Sequence, residues 1–457
     1  MMRNSIVTQL MFVLLVPLCM ASGGNNVPLP DLHTKRLLND LQITVVPTER
    51  LGESMTIGLV VRYGSAFDTE SKGGLANLVS RMFGKATVDK TMQSIQDELS
   101  YIGATLEVKS DWDGFRFILK GESSKVERSL LLLYQVVAEA QFNEADFNSV
   151  KESLIEEIRK TPDPRRNIHA RFHETLYSGT TYGRPIQGTY VTASNIGLGD
   201  VRLFYRRFFS PGQASLVVVG NVSPDQVLQR ASRIWGVWVR KDDVPFTFLP
   251  PRNPAGRQVF FEDDPDSTAA QFIIGNLFPA RHESAFVNAR LAAHIFEARL
   301  TKALPTSLVT VATDGRRMSS PFYVQGQAAV EQAVEQIQTV ERIAEELKTG
   351  EVSPEELETA KAFFIEEFNR DLVTTEGICR IILDSELYHL GSNYAAIFPA
   401  QVMRCDADAI RRAANQWIFP GGRILLVRGP AALLKPALQS IANDRDSKNS
   451  AAVAGQE

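Results

Sequence analysis

Phe208-Phe-Ser-Pro211-Gly-Gln-Ala-Ser-Leu-Val-Val-Val-Gly220 and Trp417-Ile-Phe-Pro420-Gly-Gly-Arg-Ile-Leu-Leu-Val-Arg-Gly429 share one pattern. Each runs from an aromatic through a proline into a β-rich apolar run and closes on glycine. Each glycine stands ahead of a helix-like stretch, Gln226–Trp235 and Ala432–Ala442. The two prolines, and likewise the two glycines, are 209 residues apart. Two matching openings precede them, Met55-Thr-Ile-Gly-Leu-Val-Val-Arg62 and Ala269-Ala-Gln-Phe-Ile-Ile-Gly275. A repeat at this distance reads as two homologous halves of roughly 200 residues, an ordinary domain size. The domains are placed at 30–243 and 257–443. Between them, the proline-rich stretch 244–256 favours an extended connector. Residues 444–457 are small and polar and read as a disordered tail.

Composition narrows the function class. With 49 Lys and Arg against 53 Asp and Glu, the net charge is −4, so no basic excess exists to neutralise phosphates and nucleic-acid binding is excluded. Hydrophobic residues at 44% and charged residues at 22% suit a packed globular chain rather than a disordered one. The one strongly apolar segment is N-terminal: Arg3, then Leu10–Val16, then the small residues Ala21, Ser22 and Gly23. It reads as a signal peptide over residues 1–21, with a periplasmic or secreted destination and no membrane span in the mature chain. Cys19 raises a lipoprotein alternative, which the bulky Val16-Pro17-Leu18 before it disfavours. Cys379 and Cys405 remain, either paired in an oxidising compartment or as two free buried thiols.

Local patterns give mixed elements. Leu41–Pro47 and Met55–Tyr63 read as strands, and Thr105–Lys109 with Phe115–Lys120 as a hairpin around Asp111-Trp-Asp-Gly114. Ser124-Lys-Val-Glu127 has the form of a capping box opening a helix through Ala138, and Glu144–Lys160 reads as a second helix ended by Thr161-Pro-Asp-Pro164. Strands and helices in blocks indicate an α+β fold, each half an antiparallel sheet packed with helices.

Two helices carry the informative polar residues. In Gly74–Met82, Leu75, Leu78, Val79 and Met82 make one apolar stripe, with Asn77, Ser80 and Arg81 on the other side. In Glu144–Lys160 the stripe is Phe147, Val150, Leu154 and Ile158, with Glu157 at its edge and Glu156 pointing away. Of the six histidines, only His169 and His173 form an i,i+4 pair. That spacing suits a metal, but the cationic neighbours Arg165, Arg166 and Arg171 favour a surface or packing role. His294, in an apolar helix, reads as a core histidine.

Taken together, Val61-Arg-Tyr-Gly-Ser-Ala-Phe-Asp68, Gly73–Phe83, Glu156-Glu-Ile158, Tyr182-Gly-Arg-Pro-Ile-Gln-Gly-Thr189 and Tyr205–Pro211 resemble the pitrilysin/insulinase superfamily of zinc peptidases, in its two-domain form close to the mitochondrial processing peptidase subunits. The resemblance implies that the two halves face each other as a half-clamshell. That family's inverted motif H-x-x-E-H supplies two zinc ligands and a general base, with a glutamate about 76 residues further on as third ligand. Here the motif positions read Asn77-Leu-Val-Ser80-Arg81, and the distal position is Glu157. An amide is a poor zinc ligand, a guanidinium repels the metal, and a serine hydroxyl is no base at neutral pH. The resemblance therefore implies no catalytic residue and a lost zinc site, with no cofactor.

In non-catalytic family members an Arg and a Tyr of the second domain help hold substrate. The matching stretch here is Arg299-Leu-Thr-Lys-Ala-Leu304-Pro305 followed by Ser307-Leu-Val-Thr310, with Pro305 and Thr310 at those positions. Arg316 and Arg317 follow and are the candidate substitutes for substrate contact. The leading expectation is a non-catalytic subunit that pairs with an active homologue carrying H-x-x-E-H, forming a chamber for peptide or unfolded protein. The alternatives are a stand-alone binding or structural homodimer, and a metallopeptidase whose metal has moved to His169 and His173.

Overall fold

The structure is a computed structural model that describes residues 27, 31–160 and 167–438. The signal-peptide segment with Cys19, the Thr161–Pro164 break, Arg165, Arg166 and the 444–457 tail lie outside the described residues. The first half contains β1 (His33–Arg36), β2 (Gln42–Pro47), β3 (Ser54–Val61), α1 (Leu75–Met82), α2 (Met92–Tyr101), β4 (Thr105–Ser110) and β5 (Phe115–Glu122). It continues with α3 (Val126–Ala138), α4 (Glu144–Lys160), α5 (Ile168–Leu176), α6 (Tyr190–Ser194), α7 (Leu198–Phe208), β6 (Ala214–Gly220) and α8 (Pro224–Trp235). The second half repeats the order: β7 (Arg257–Asp263), β8 (Ala269–Phe278), α9 (Phe286–Ala303), β9 (Leu308–Thr313), β10 (Ser320–Ala329) and α10 (Val330–Thr349). Then come α11 (Pro354–Leu372), α12 (Thr375–Tyr388), α13 (Tyr394–Arg404), α14 (Ala407–Trp417) and β11 (Arg423–Gly429). The repeated phrases are β6 and β11, which begin at 214 and 423 and end at 220 and 429.

The sheets run β1-β2-β6-β3-β5-β4 and β7-β11-β8-β10-β9. The expectation of antiparallel sheets needs correction, because each sheet is mixed. β2 pairs parallel with β6, and β7 parallel with β11. The closing strand of each half inserts between that half's first strands and its central hairpin. It returns from a helix, and so enters in the same direction as β2 or β7. The capping box also fails. Ser123–Lys125 form a 3-10 turn, α3 starts at Val126 without a side-chain cap, and Ser124 Oγ instead donates to Glu122 Oε2 at 3.5 Å.

β3 is buried along nearly its whole length because its sheet is covered on both faces. Ile57, Leu59 and Val61 face the first half's own helices. Val60, with Val46, Val217 and Val219, faces the second half, where α12 lays Cys379, Leu383 and Leu387 across the sheet. The exchange is reciprocal: α5 puts Ile168, Phe172 and Leu176 against Ile273, Leu277, Ile424 and Leu426 of the second sheet. Each domain thus lends a helix to the other's sheet. Burying the apolar face of α12 (Ile378, Cys379, Ile381, Ile382, Leu383, Leu387) contributes on the order of 10 kcal/mol to the junction as an upper bound. Gly58 permits the contact, since a Cβ there would stand 2.5 Å from Cys379 Sγ and 2.6 Å from Leu383 Cδ1. Cys379 and Cys405 are free and buried, and burial pushes both thiols upward, Cys405 to about 11. The 244–256 stretch lacks helix and strand, yet Phe246 and Phe248 pack on Phe67 with ring centroids 5.7 and 4.8 Å away.

Candidate functional site

The N-terminus of α1 is fixed before its polar face is built. Gly74 caps it at φ 98°, a conformation costly for any other residue. The Asp68 carboxylate accepts the Gly74 and Ala76 N–H groups, each at 2.9 Å. Burial pushes Asp68 up to about 7, against the pull of those N–H donors. With α1 anchored, its apolar stripe packs inward and Asn77 and Arg81 emerge beside α4.

There the Arg81 guanidinium closes a small network. Its Nη1 and Nη2 donate to the two Glu157 carboxylate oxygens at 2.8 and 2.7 Å. Its Nε donates to Asn77 Oδ1 at 2.9 Å. Ser80 is buried, and its hydroxyl donates to the Asn77 carbonyl at 2.7 Å. The hydrogen bond from Arg81 holds the Glu157 carboxyl below the usual range. Positions 77, 81 and 157 therefore converge on one place, filled by a guanidinium. Glu157 sits at the edge of the apolar stripe, yet its side chain is 53% exposed and that of Arg81 30%, so water reaches the pair. Glu156 turns outward as expected and pairs with Arg159 at 3.2 Å.

These residues do not fit a zinc ion. Of positions 77, 81 and 157, one is a carboxylate already holding two hydrogen bonds from a cation, one an amide, and one the cation itself. Elsewhere, among the described residues, no group of three or more His, Cys, Asp or Glu side chains converges in a way that could hold a metal. His169 meets Tyr323 edge-on at 5.4 Å, while His173 stacks between Trp112 at 5.5 Å and Tyr177 at 4.9 Å. Burial, then the nearby Arg316, push His173 down to about 4. His294 is half-buried rather than in the core, stacked on Phe363 of α11 at 4.2 Å and near Glu297 at its exposed edge.

Arg316 and Arg317 lie in the junction between domains. The Asp111–Gly114 turn of the first half meets the loop between β9 and β10. Arg316 sits over the Trp112 ring at 3.8 Å and pairs with Asp314. The Arg317 backbone N–H donates to Asp113 Oδ2 at 3.2 Å, and its guanidinium to the Arg62 carbonyl at 3.1 Å. Both guanidinium groups are thus engaged within the chain. Tyr182 also donates to Asp113, whose carboxyl is pushed up to about 6 by burial and then by Asp111. The sequence pattern of Asp111-Trp-Asp-Gly114 indicates only a turn. The available signal was a tryptophan between two aspartates, an odd choice for a solvated turn. Arg299 is a structural residue, bidentate to Glu356 at 2.7 and 2.9 Å. A cleft of about 610 Å³ opens between β4–β5 and the α11–α12 corner, but its acids are already paired, Asp111 and Asp384 with Arg116 and Asp371 with Arg380.

This architecture, with its helix-borne motif position and distal glutamate, agrees with comparison to known proteins. The model of the insulinase family (peptidase family M16) matches residues 44–190, and that of the peptidase M16 inactive domain matches residues 195–364. The chain belongs to the M16 peptidase family. Curated relatives include an uncharacterised zinc protease of Rickettsia felis, 23% identical over 46% of this chain and 51% of that protein. A probable mitochondrial-processing peptidase β subunit of Arabidopsis thaliana is 21% identical over 56% of this chain and 48% of that protein. The chain spans about half the length of these curated relatives. Among solved structures, a protease from Helicobacter pylori superposes with a TM-score of 0.80 at 18% identity, over 88% of this chain and all of that one. An M16 inactive domain from Pseudomonas fluorescens gives 0.78 at 19% identity, over 88% of this chain and 98% of that one. At these identities the two structures speak for the M16 fold.

Proposed function

We propose that this M16 chain is a non-catalytic subunit that holds no zinc and cleaves no peptide alone. It pairs with an active homologue carrying H-x-x-E-H, and the two enclose a chamber for peptide or unfolded protein, in the periplasm or outside the cell. One observation supports the reading: the Arg81 guanidinium bonds Asn77 and Glu157, so the three positions that the resemblance aligns with the family's ligands meet around a cation. A residual base is also lacking there, since Ser80 is buried and turned back onto its own helix. The helix exchange between domains supports a subunit that acts as one preassembled half.

The test starts by purifying the native chain from its source and identifying what accompanies it. Mixing the chain with a homologue that has the intact motif should give a heterodimer by light scattering and raise peptidase activity above that of the homologue alone. A mass that stays unchanged, with unchanged activity, would overturn the pairing. A homodimer under the same conditions would favour a stand-alone role.

A further inference from the structure

An aliphatic tip flanked by basic residues stands on the N-terminal domain, where the β1–β2 turn meets the loop after α8. The β1–β2 turn places Leu38 fully in solvent, at 105% relative exposure, although turns normally carry polar residues. Asp40 at φ 68° tightens this turn, and the Leu37 N–H closes it onto the Leu41 carbonyl at 2.9 Å. Asn39 ties it to the loop after α8, donating to the Trp235 and Trp238 carbonyls, each at 2.9 Å. That loop exposes Val237 at 67% and Val239 at 71%. The buried Trp235 and Trp238 hold it rigidly from beneath. Three aliphatic side chains are thus exposed on a fixed scaffold among the described residues.

The surroundings are cationic. Lys35 and Arg36 precede the turn, Arg240 and Lys241 follow Val239 in the loop, and Arg206 and Arg207 lie at the end of α7, against Asp40, Asp242 and Asp243. The α7 end and the loop are adjacent, since Lys241 donates to the Phe209 carbonyl at 2.9 Å and feels the charge of Arg206. Asp40 is shared by Arg36 and Arg240. Lys35, Arg206 and Arg207 have no acidic partner within ion-pair distance among the described residues. A net positive rim on a chain of net charge −4 is a local feature, not an average.

We propose that this tip docks the protein peripherally on an anionic lipid bilayer, with Leu38, Val237 and Val239 entering the headgroup boundary and the rim facing the lipid phosphates. Three small aliphatics without an aromatic among them make a poor anchor for a partner protein, where Leu and Val are under-represented at hot spots, but suit a soft interface that closes around them. The rim supplies the attraction, which falls with salt. No helix among the described residues is long and apolar enough to cross a membrane, so the contact is interfacial.

The test is co-sedimentation of the purified chain with phosphatidylcholine vesicles, with and without about one-third phosphatidylglycerol, at low and high salt. Binding is expected on the anionic vesicles at low salt only. Leu38→Ser/Val237→Ser/Val239→Ser should lower it about tenfold with an unchanged thermal melt, and Arg206→Gln/Arg207→Gln should weaken it and flatten its salt dependence. No binding to anionic vesicles, or binding that the triple serine variant leaves intact, would overturn the proposal. So would capture of an acidic protein through this tip by a chain that ignores vesicles.

Discussion

Replacing Arg81 and Glu157 singly and together should expose a coupling of about 0.5–1 kcal/mol. The two hydrogen bonds, at 2.8 and 2.7 Å, form the parallel fork that makes arginine–carboxylate pairs strong. The Asn77 contact at 2.9 Å pre-positions the guanidinium and lowers the entropy cost of holding it. Side-chain exposures of 30% and 53% act the other way, because water and salt screen the pair. The coupling therefore belongs at the upper end of the surface range, not at the roughly 3–5 kcal/mol lost on breaking a buried pair. Urea unfolding of the wild type, Arg81→Ala, Glu157→Ala and the double variant measures it, with Glu156→Ala as a control of nearly neutral effect. Arg81→Ala should cost more than Glu157→Ala, since it also strips Asn77 of its partner. Because the folded-state pKa of Glu157 is lowered, the coupling should be present above the ordinary carboxylate range and fade as pH falls through the lowered value. Additive single effects, or a coupling above about 2 kcal/mol that resists molar salt, would refute the reasoning.

Asn77→His/Arg81→His should create a site for about one zinc with Glu157 as third ligand, read by elemental analysis beside a zinc-free wild type; a variant without zinc would show that the three positions do not converge closely enough. Glu356 is held at about 2, chiefly by the Arg299 hydrogen bond, so wild type should lose stability relative to Glu356→Gln as pH falls from about 4.5 towards 2, by about 1–2 kcal/mol after screening at a side chain 31% exposed. A pH profile parallel to that of the glutamine variant would contradict this. Gly58→Val should cost about 2–3 kcal/mol in thermal or urea unfolding, because its Cβ would stand 2.5 Å from Cys379 Sγ under α12; a neutral result would mean that α12 can shift on the sheet.

Much of this protein is legible without coordinates. Apolar periodicity located α1 and α4, alternation located the β4–β5 hairpin, and the 209-residue repeat located β6 and β11 at matching positions. These signals are local, so they survive in one dimension. The Arg81–Glu157 pair agrees with the residue types at the two positions, a cation on α1 and a carboxylate on α4. Solvent exposure at Glu157 did not follow from type, since it depends on how closely the two helices pack around the pair. The parallel partners of β2 and β7 were likewise invisible, because strand direction within a sheet is a relation between segments far apart in sequence. So were the exchange of α5 and α12 and the burial of Asp113 beneath Tyr182 and Arg317. An amphipathic helix shows that it has a face to bury but not which sheet will cover it, and only packing against the other domain decides that.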